Sequence, residues 1–154
     1  MPLSQFRSCV FLLVALTSSI TLAENWPAWR GPRGDGSSIE KAVPTHWDAT
    51  KGDNIIWKVP IAGKGHSSPI VWEDRIFVAT CLTDQVPPAR ELLCLDRKTG
   101  ETIWQTNVLG APLETKHGLN SYASGTPTTD GIHVFVTFLE VGTKTIEARN
   151  VGRP

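Results

Sequence analysis

A fixed offset of 58 residues lays Pro69 over Pro127 and Ile76-Phe77-Val78 over Val134-Phe135-Val136 without a gap, with Asp74 beside the Asp130-Gly131 turn. One strand pair therefore occurs twice. A second echo sets Ile56-Trp57-Lys58-Val59 against Ile103-Trp104-Gln105-Thr106, each standing just before a loop that leads into a Ser- and Pro-containing strand. The repeating unit reads as three strands followed by a strand that carries a tryptophan. Such a unit cannot bury both of its faces alone, so it must stack on neighbours.

From residue 54 onward short β-rich runs alternate with turn residues, and almost nothing falls at helical spacing. The runs are 55–61, 67–72, 75–81, 91–96, 102–108, 122–129 and 133–138. In 75–80 the apolar content suits burial on both faces. A sandwich or a barrel has no need of the internal repeat, whereas four strands per unit at a spacing of about 50 is what a propeller blade requires. The expected fold is all-β: a partial β-propeller with about one complete four-stranded antiparallel blade over 67–108, an outer strand at 55–61 and the start of a second blade at 122–138. Lone stacks of so few units expose apolar faces, which predicts marginal stability or aggregation of the isolated chain.

Between the two echoes, Leu93-Cys94-Leu95-Asp96 and Thr102-Ile103-Trp104 are joined by Arg97-Lys98-Thr99-Gly100-Glu101. The Asp96 carboxylate can cap the turn amides, and Gly100 can take positive φ, which makes a tight hairpin. Trp104 follows at a fixed distance, with a flat side chain able to pin one sheet to the next.

The stretch from Cys94 to Trp104 resembles the PQQ-like, quinoprotein-type repeat of tryptophan-docked propellers, whose blades end in Ala/Cys-x-Asp-x-x-Thr-Gly-x-x-x-Trp. Asp96, Thr99, Gly100 and Trp104 fit that signature, and Trp57 echoes its tryptophan. The Asn25-Trp26-Pro27-Ala28-Trp29-Arg30-Gly31-Pro32 arm, Gly65-His66-Ser67-Ser68-Pro69 and Asn120-Ser121-Tyr122-Ala123-Ser124 are similar to bacterial secreted members. The resemblance covers roughly residues 25–138. It implies that the first strand of a blade lines a central channel and that the Trp strand is outermost. Residues 142–150 lack the Asp-x-x-x-Gly turn and its tryptophan, so the chain is expected to be a truncated N-terminal fragment or to need a partner that completes its ring.

Arg7, the apolar run 9–16 and the small residues 17–23 make residues 1–23 a signal peptide cut after Ala23, which exports the chain to the periplasm or beyond. Residues 24–53 form an irregular arm rich in Trp, Gly and Pro, 54–138 the incomplete blades, and 139–154 an atypical tail. The arm's tryptophans are expected to staple it to the domain.

The whole chain has 15 basic and 15 acidic residues, and losing 1–23 removes only Arg7, leaving 14 and 15. With no basic stripe there is no footprint for nucleic acid, and the mature chain has no transmembrane segment. Cys81 and Cys94 can pair as a disulfide if their register allows, or pack as two small apolar thiols, the reading preferred here.

Candidate ligand contacts lie in the polar loops that lead into the inner strands: His66, Ser67, Ser68, Asn120, Ser121 and Tyr122, at an expected channel mouth. His46, His66, His117 and His133 show no metal-ligand spacing. The quinone-dependent dehydrogenases that share the repeat need a catalytic carboxylate, an oxygen-bound cation, stacking aromatics and in some members adjacent cysteines. No motif here matches those groups. The function expected is a non-catalytic binding or scaffold module without a cofactor, offering its propeller face to a protein partner or small ligand. The alternative is a fragment of a dehydrogenase using pyrroloquinoline quinone (PQQ) and Ca²⁺.

Overall fold

The computed structural model describes residues 23–41 and 43–139 in full, together with the backbone of Glu140 and of 143–150. The expected signal peptide, apart from Ala23, and the last four residues lie outside the described residues. The described residues are all-β, with no helix.

Seven strands follow in chain order: β1 (Ile70–Trp72), β2 (Arg75–Leu82), β3 (Ala89–Asp96), β4 (Thr102–Gly110), β5 (Thr128–Thr129), β6 (His133–Glu140) and β7 (Thr143–Asn150). The first four form one antiparallel sheet in the order β1-β2-β3-β4, a simple meander, and the last three form a second in the order β5-β6-β7. The tail beyond residue 138 thus contributes a strand.

The offset of 58 is reproduced in strand register. Ile70 lies opposite Phe77 and Val71 opposite Ile76 in the first sheet, as Thr128 lies opposite Phe135 and Thr129 opposite Val134 in the second. Burial is inverted between the two. In β2 the core takes Phe77, Ala79 and Cys81, while in β6 it takes Val134, Val136 and Phe138, the counterparts of Ile76, Val78 and Thr80. Successive side chains of a strand point to opposite faces, so the front of the first sheet meets the back of the second. Ile70, Leu92, Cys94 and Val108 join the core from the first sheet, with Trp72, Trp104 and Tyr122 packed around it.

The 96–100 turn takes the form its residues dictate. The Asp96 carboxylate accepts the amides of Lys98 at 2.7 Å and Thr99 at 2.8 Å, and Gly100 closes the hairpin at φ 76° with a register shift in the ladder between Cys94 and Leu95. Those two amides hold the Asp96 carboxyl below its ordinary range, Thr99 contributing most.

The segment 55–61 forms no strand, which corrects the expected outer strand. Its residues from Ile55 to Pro60 are alternately half-buried and exposed, yet no strand among the described residues pairs with it. It covers the back of the first sheet instead. Trp57 lies over Gly100 and donates its indole N–H to the Arg97 carbonyl at 2.9 Å, and Thr80, which faces away from the intersheet core, donates to the Ala62 carbonyl at 2.8 Å.

The blade boundaries also shift. Ladder pairing begins at Ile70 rather than residue 67, and in the second unit at Thr128 rather than 122. The preceding residues spend their backbone groups between the units: Ser67 N–H reaches Ala123 O at 3.0 Å, and Ser68 N–H reaches Thr126 Oγ1 at 3.3 Å. Because β1 stops short, the free edge of β2 is completed by the loop. Ala79 N–H donates to Ser67 Oγ at 3.3 Å, and Cys81 and Lys64 exchange both backbone bonds at 3.0 Å.

The arm joins the inner edges of both sheets. Trp26 exchanges backbone bonds with Val71 at 2.7 and 2.9 Å, and the carbonyl of the next residue, Pro27, accepts from Thr129 N–H at 2.9 Å. Backbone bonds, rather than the rings of its first two tryptophans, make this junction: Trp26 packs on the arm's own turn at Gly31, and Trp29 is 64% exposed with the Arg30 guanidinium 4.9 Å from its ring centroid.

Candidate functional site

The two loops that lead into β1 and β5 lie against one another, and this contact assembles the candidate residues. His66 N–H donates to Ser121 Oγ at 2.9 Å and to Ala123 O at 3.0 Å. Gly65 permits the approach, since a Cβ there would stand 2.8 Å from Ala79 O and 3.3 Å from Ala123 O. On the other side Ser121 and Ser124 hold their own turn, with their hydroxyls 3.0 Å apart and Ser124 Oγ donating to Ser121 O at 3.0 Å. Asn120 is set by the preceding turn, in which its N–H donates to His117 O at 3.0 Å.

Of the six residues expected at a channel mouth, His66, Asn120, Ser121 and Tyr122 line one cleft of about 410 Å³, with Lys64, Lys116 and Thr83. A second cleft of about 560 Å³ shares Lys116, Asn120, Ser121 and Tyr122 and continues to Glu114, Ser124 and Phe138. Ser67 and Ser68 are not in either lining. They are half-buried and serve the backbone: Ser67 Oγ bonds Ala79 N–H and Ser68 O, and Ser68 N–H bonds Thr126.

Below these clefts lies a group of residues that the motif reading missed. Arg90, the second residue of β3, is fully buried and donates to the carbonyls of Ala111 at 2.6 Å and Pro112 at 3.3 Å and to the Glu114 carboxylate. Its guanidinium carbon lies 5.9 Å from the Tyr122 ring centroid, and Lys116 Nζ lies 5.1 Å from the same ring. Two cations thus share one aromatic, an arrangement the ring quadrupole favours. The available signal was an arginine that stands, with Glu91, directly ahead of the apolar run Leu92–Leu95, because an arginine drawn into a buried strand must find carboxylate and carbonyl partners.

The signature residues stand apart from the clefts, around the β3–β4 turn. Trp57 and Val59 cover Gly100, where a Cβ would stand 2.6 Å from the indole and 3.0 Å from Val59 Cγ1. Thr99 Oγ1 accepts from Glu101 N–H at 3.2 Å, and Trp104, half-buried, lies with its ring centroid 5.9 Å from that of Phe77. A second glycine-closed turn is covered in the same manner between the sheets, since a Cβ on Gly131, at φ 89°, would stand 2.5 Å from the Trp72 ring.

Cys81 and Cys94 are free, buried thiols. Cys94 lies opposite Phe77, so Cys81 is displaced from it by four residues along β2, roughly 13 Å at ~3.3 Å per residue and beyond disulfide reach. Burial raises both thiols above their ordinary range. Among the described residues no three His, Cys, Asp or Glu side chains converge as metal ligands, and no helix is long and apolar enough to cross a membrane. Comparison with protein-family models, with curated proteins and with solved structures gives no match.

Proposed function

We propose that this chain is an exported propeller-repeat protein of the PQQ-like, tryptophan-docked type, and that it acts as a non-catalytic binding or scaffold module. One observation carries the reading. Units related by 58 residues bury opposite faces at equivalent positions, so each sheet presents its front to the back of the next. A sandwich packs inner face on inner face around a closed core, whereas successive blades repeat one front-to-back contact around an axis. The indole of Trp57 on Gly100, at the back of the first sheet, supports the same reading, because it is the contact an outer strand of a preceding blade would make.

The binding role rests on two clefts with polar lining residues: the smaller lies between the two loops and includes Tyr122, and the larger lies between the loop entering β5 and strand β6 and includes Tyr122 and Phe138. Strand edges and uncovered sheet faces suit protein partners.

Amide exchange tests the stacking. Val136→Asp, on the face turned to the first sheet, should speed exchange in β2 and β3, while Thr137→Asp on the opposite face should leave them protected. Equal effects would overturn the proposal. Titration with PQQ and Ca²⁺ tests the absence of catalysis: saturable binding with dye reduction would make the chain part of a dehydrogenase instead.

A further inference from the structure

The smaller cleft has an electrostatic character of its own. Lys64 and Lys116 stand on its two walls, one on the loop entering β1 and the other on the loop entering β5, and no carboxylate lines it. Among the described residues neither ammonium has an ion-pair partner. The nearby carboxylate of Glu114, in the neighbouring cleft, is taken up by Arg90, which leaves the two lysines uncompensated. Lys116 is half-buried and lies over the Tyr122 ring, so its position is fixed rather than free in solvent.

Between the lysines the lining offers groups suited to hydroxyls. Among the described residues the Asn120 amide, the His66 ring and the Thr83 hydroxyl make no hydrogen bond, although the backbones of His66 and Asn120 are fixed. An amide and an imidazole can each donate and accept, as the hydroxyls of a sugar require. The volume of about 410 Å³ fits a molecule of monosaccharide size.

We infer that this cleft binds a hydroxylated organic anion, a sugar acid or sugar sulfate, with its charge held between Lys64 and Lys116 and its hydroxyls met by Asn120, His66 and Thr83. The inference rests on the reading of the chain as a binding module and supplies the ligand class. The anion would also tie together the loops of two successive units, so binding and the docking of the sheets are coupled.

Calorimetric titration of the full chain with glucuronate, glucose 6-sulfate, inorganic sulfate and glucose tests it. Both charged sugars should bind, glucose should not, and inorganic sulfate should bind more weakly than either sugar. Lys64→Gln and Lys116→Gln should each weaken the charged sugars about tenfold, and Lys116→Arg should restore most of the loss. Binding of glucose equal to glucuronate, indifference to both lysine substitutions, or no binding of any charged sugar would overturn the inference. Sulfate matching the sugars would overturn its hydroxyl part. Amide exchange separates this failure from failure of the stacking proposal, because β2 and β3 remain protected if only the ligand assignment is wrong.

Discussion

The Trp57 indole donates to the Arg97 carbonyl at 2.9 Å while its ring covers Gly100 so closely that a methyl group there would stand 2.6 Å from it. Trp57 and Arg97 are 40 positions apart in sequence, and the contact uses the shape of a glycine and a carbonyl of the same turn. Trp57→Ala removes the ring and the bond together and is expected to cost about 2–3 kcal/mol. Gly100→Ala adds positive-φ strain to the collision and is expected to cost about 2 kcal/mol. Urea unfolding followed by fluorescence measures both; because they disrupt one contact, the double variant should cost less than the sum.

Removing Glu114 leaves the buried Arg90 guanidinium with carbonyl partners but without its counter-charge. Glu114→Ala is expected to destabilise the protein by about 3 kcal/mol. Arg90→Met together with Glu114→Ala should recover part of this loss, since an apolar side chain of similar volume imposes no buried charge. Thermal unfolding of the single and double variants distinguishes these outcomes.

The Asp130 carboxylate accepts the amides of His133 at 2.6 Å and Ile132 at 2.8 Å, which lowers its pKa from 3.8 to about 2, His133 contributing most. A carboxyl depressed on folding contributes stability above its unfolded value and loses it as the pH falls through the folded value. Stability should therefore decline between pH 3.8 and about 2. Asp130→Asn keeps an acceptor in the turn but cannot titrate, and should flatten that part of the profile in denaturant titrations at each pH.

Burial places Cys81 and Cys94 out of reach and raises their thiols, so both should resist iodoacetamide in the native protein and react fully in urea. Peptide mapping after mild oxidation should find no Cys81–Cys94 disulfide, because the ladder holds them four residues out of register.

What the sequence made legible was local chemistry and its repetition. Asp96, Thr99 and Gly100 specify their turn through side chain and φ alone, and the 58-residue offset survives in the pairing of Ile70 with Phe77 and Thr128 with Phe135. Residues 55–61 were misread because a strand pattern states that one face is buried, not that an edge is available to pair. Ser67 and Ser68 look like the beginning of a strand, yet their hydrogen bonds go to Ala79, Ala123 and Thr126, contacts created only when two units meet. Arg90 was hidden for a related reason: its carboxylate is 24 positions away in a loop whose path no periodicity describes.

The inverted burial of β2 and β6 has a directional consequence. A face that accepts a different face cannot satisfy itself by twofold pairing, so contacts of this kind run head to tail. Each added sheet recreates the surface that the previous one covered, and the succession stops only where the accumulated rotation returns to its origin or where another structure occupies the exposed side. The angle between neighbouring sheets, where here the Trp72 indole of one rests on the Gly131 turn of the other, would therefore set how many sheets such a closed circuit holds.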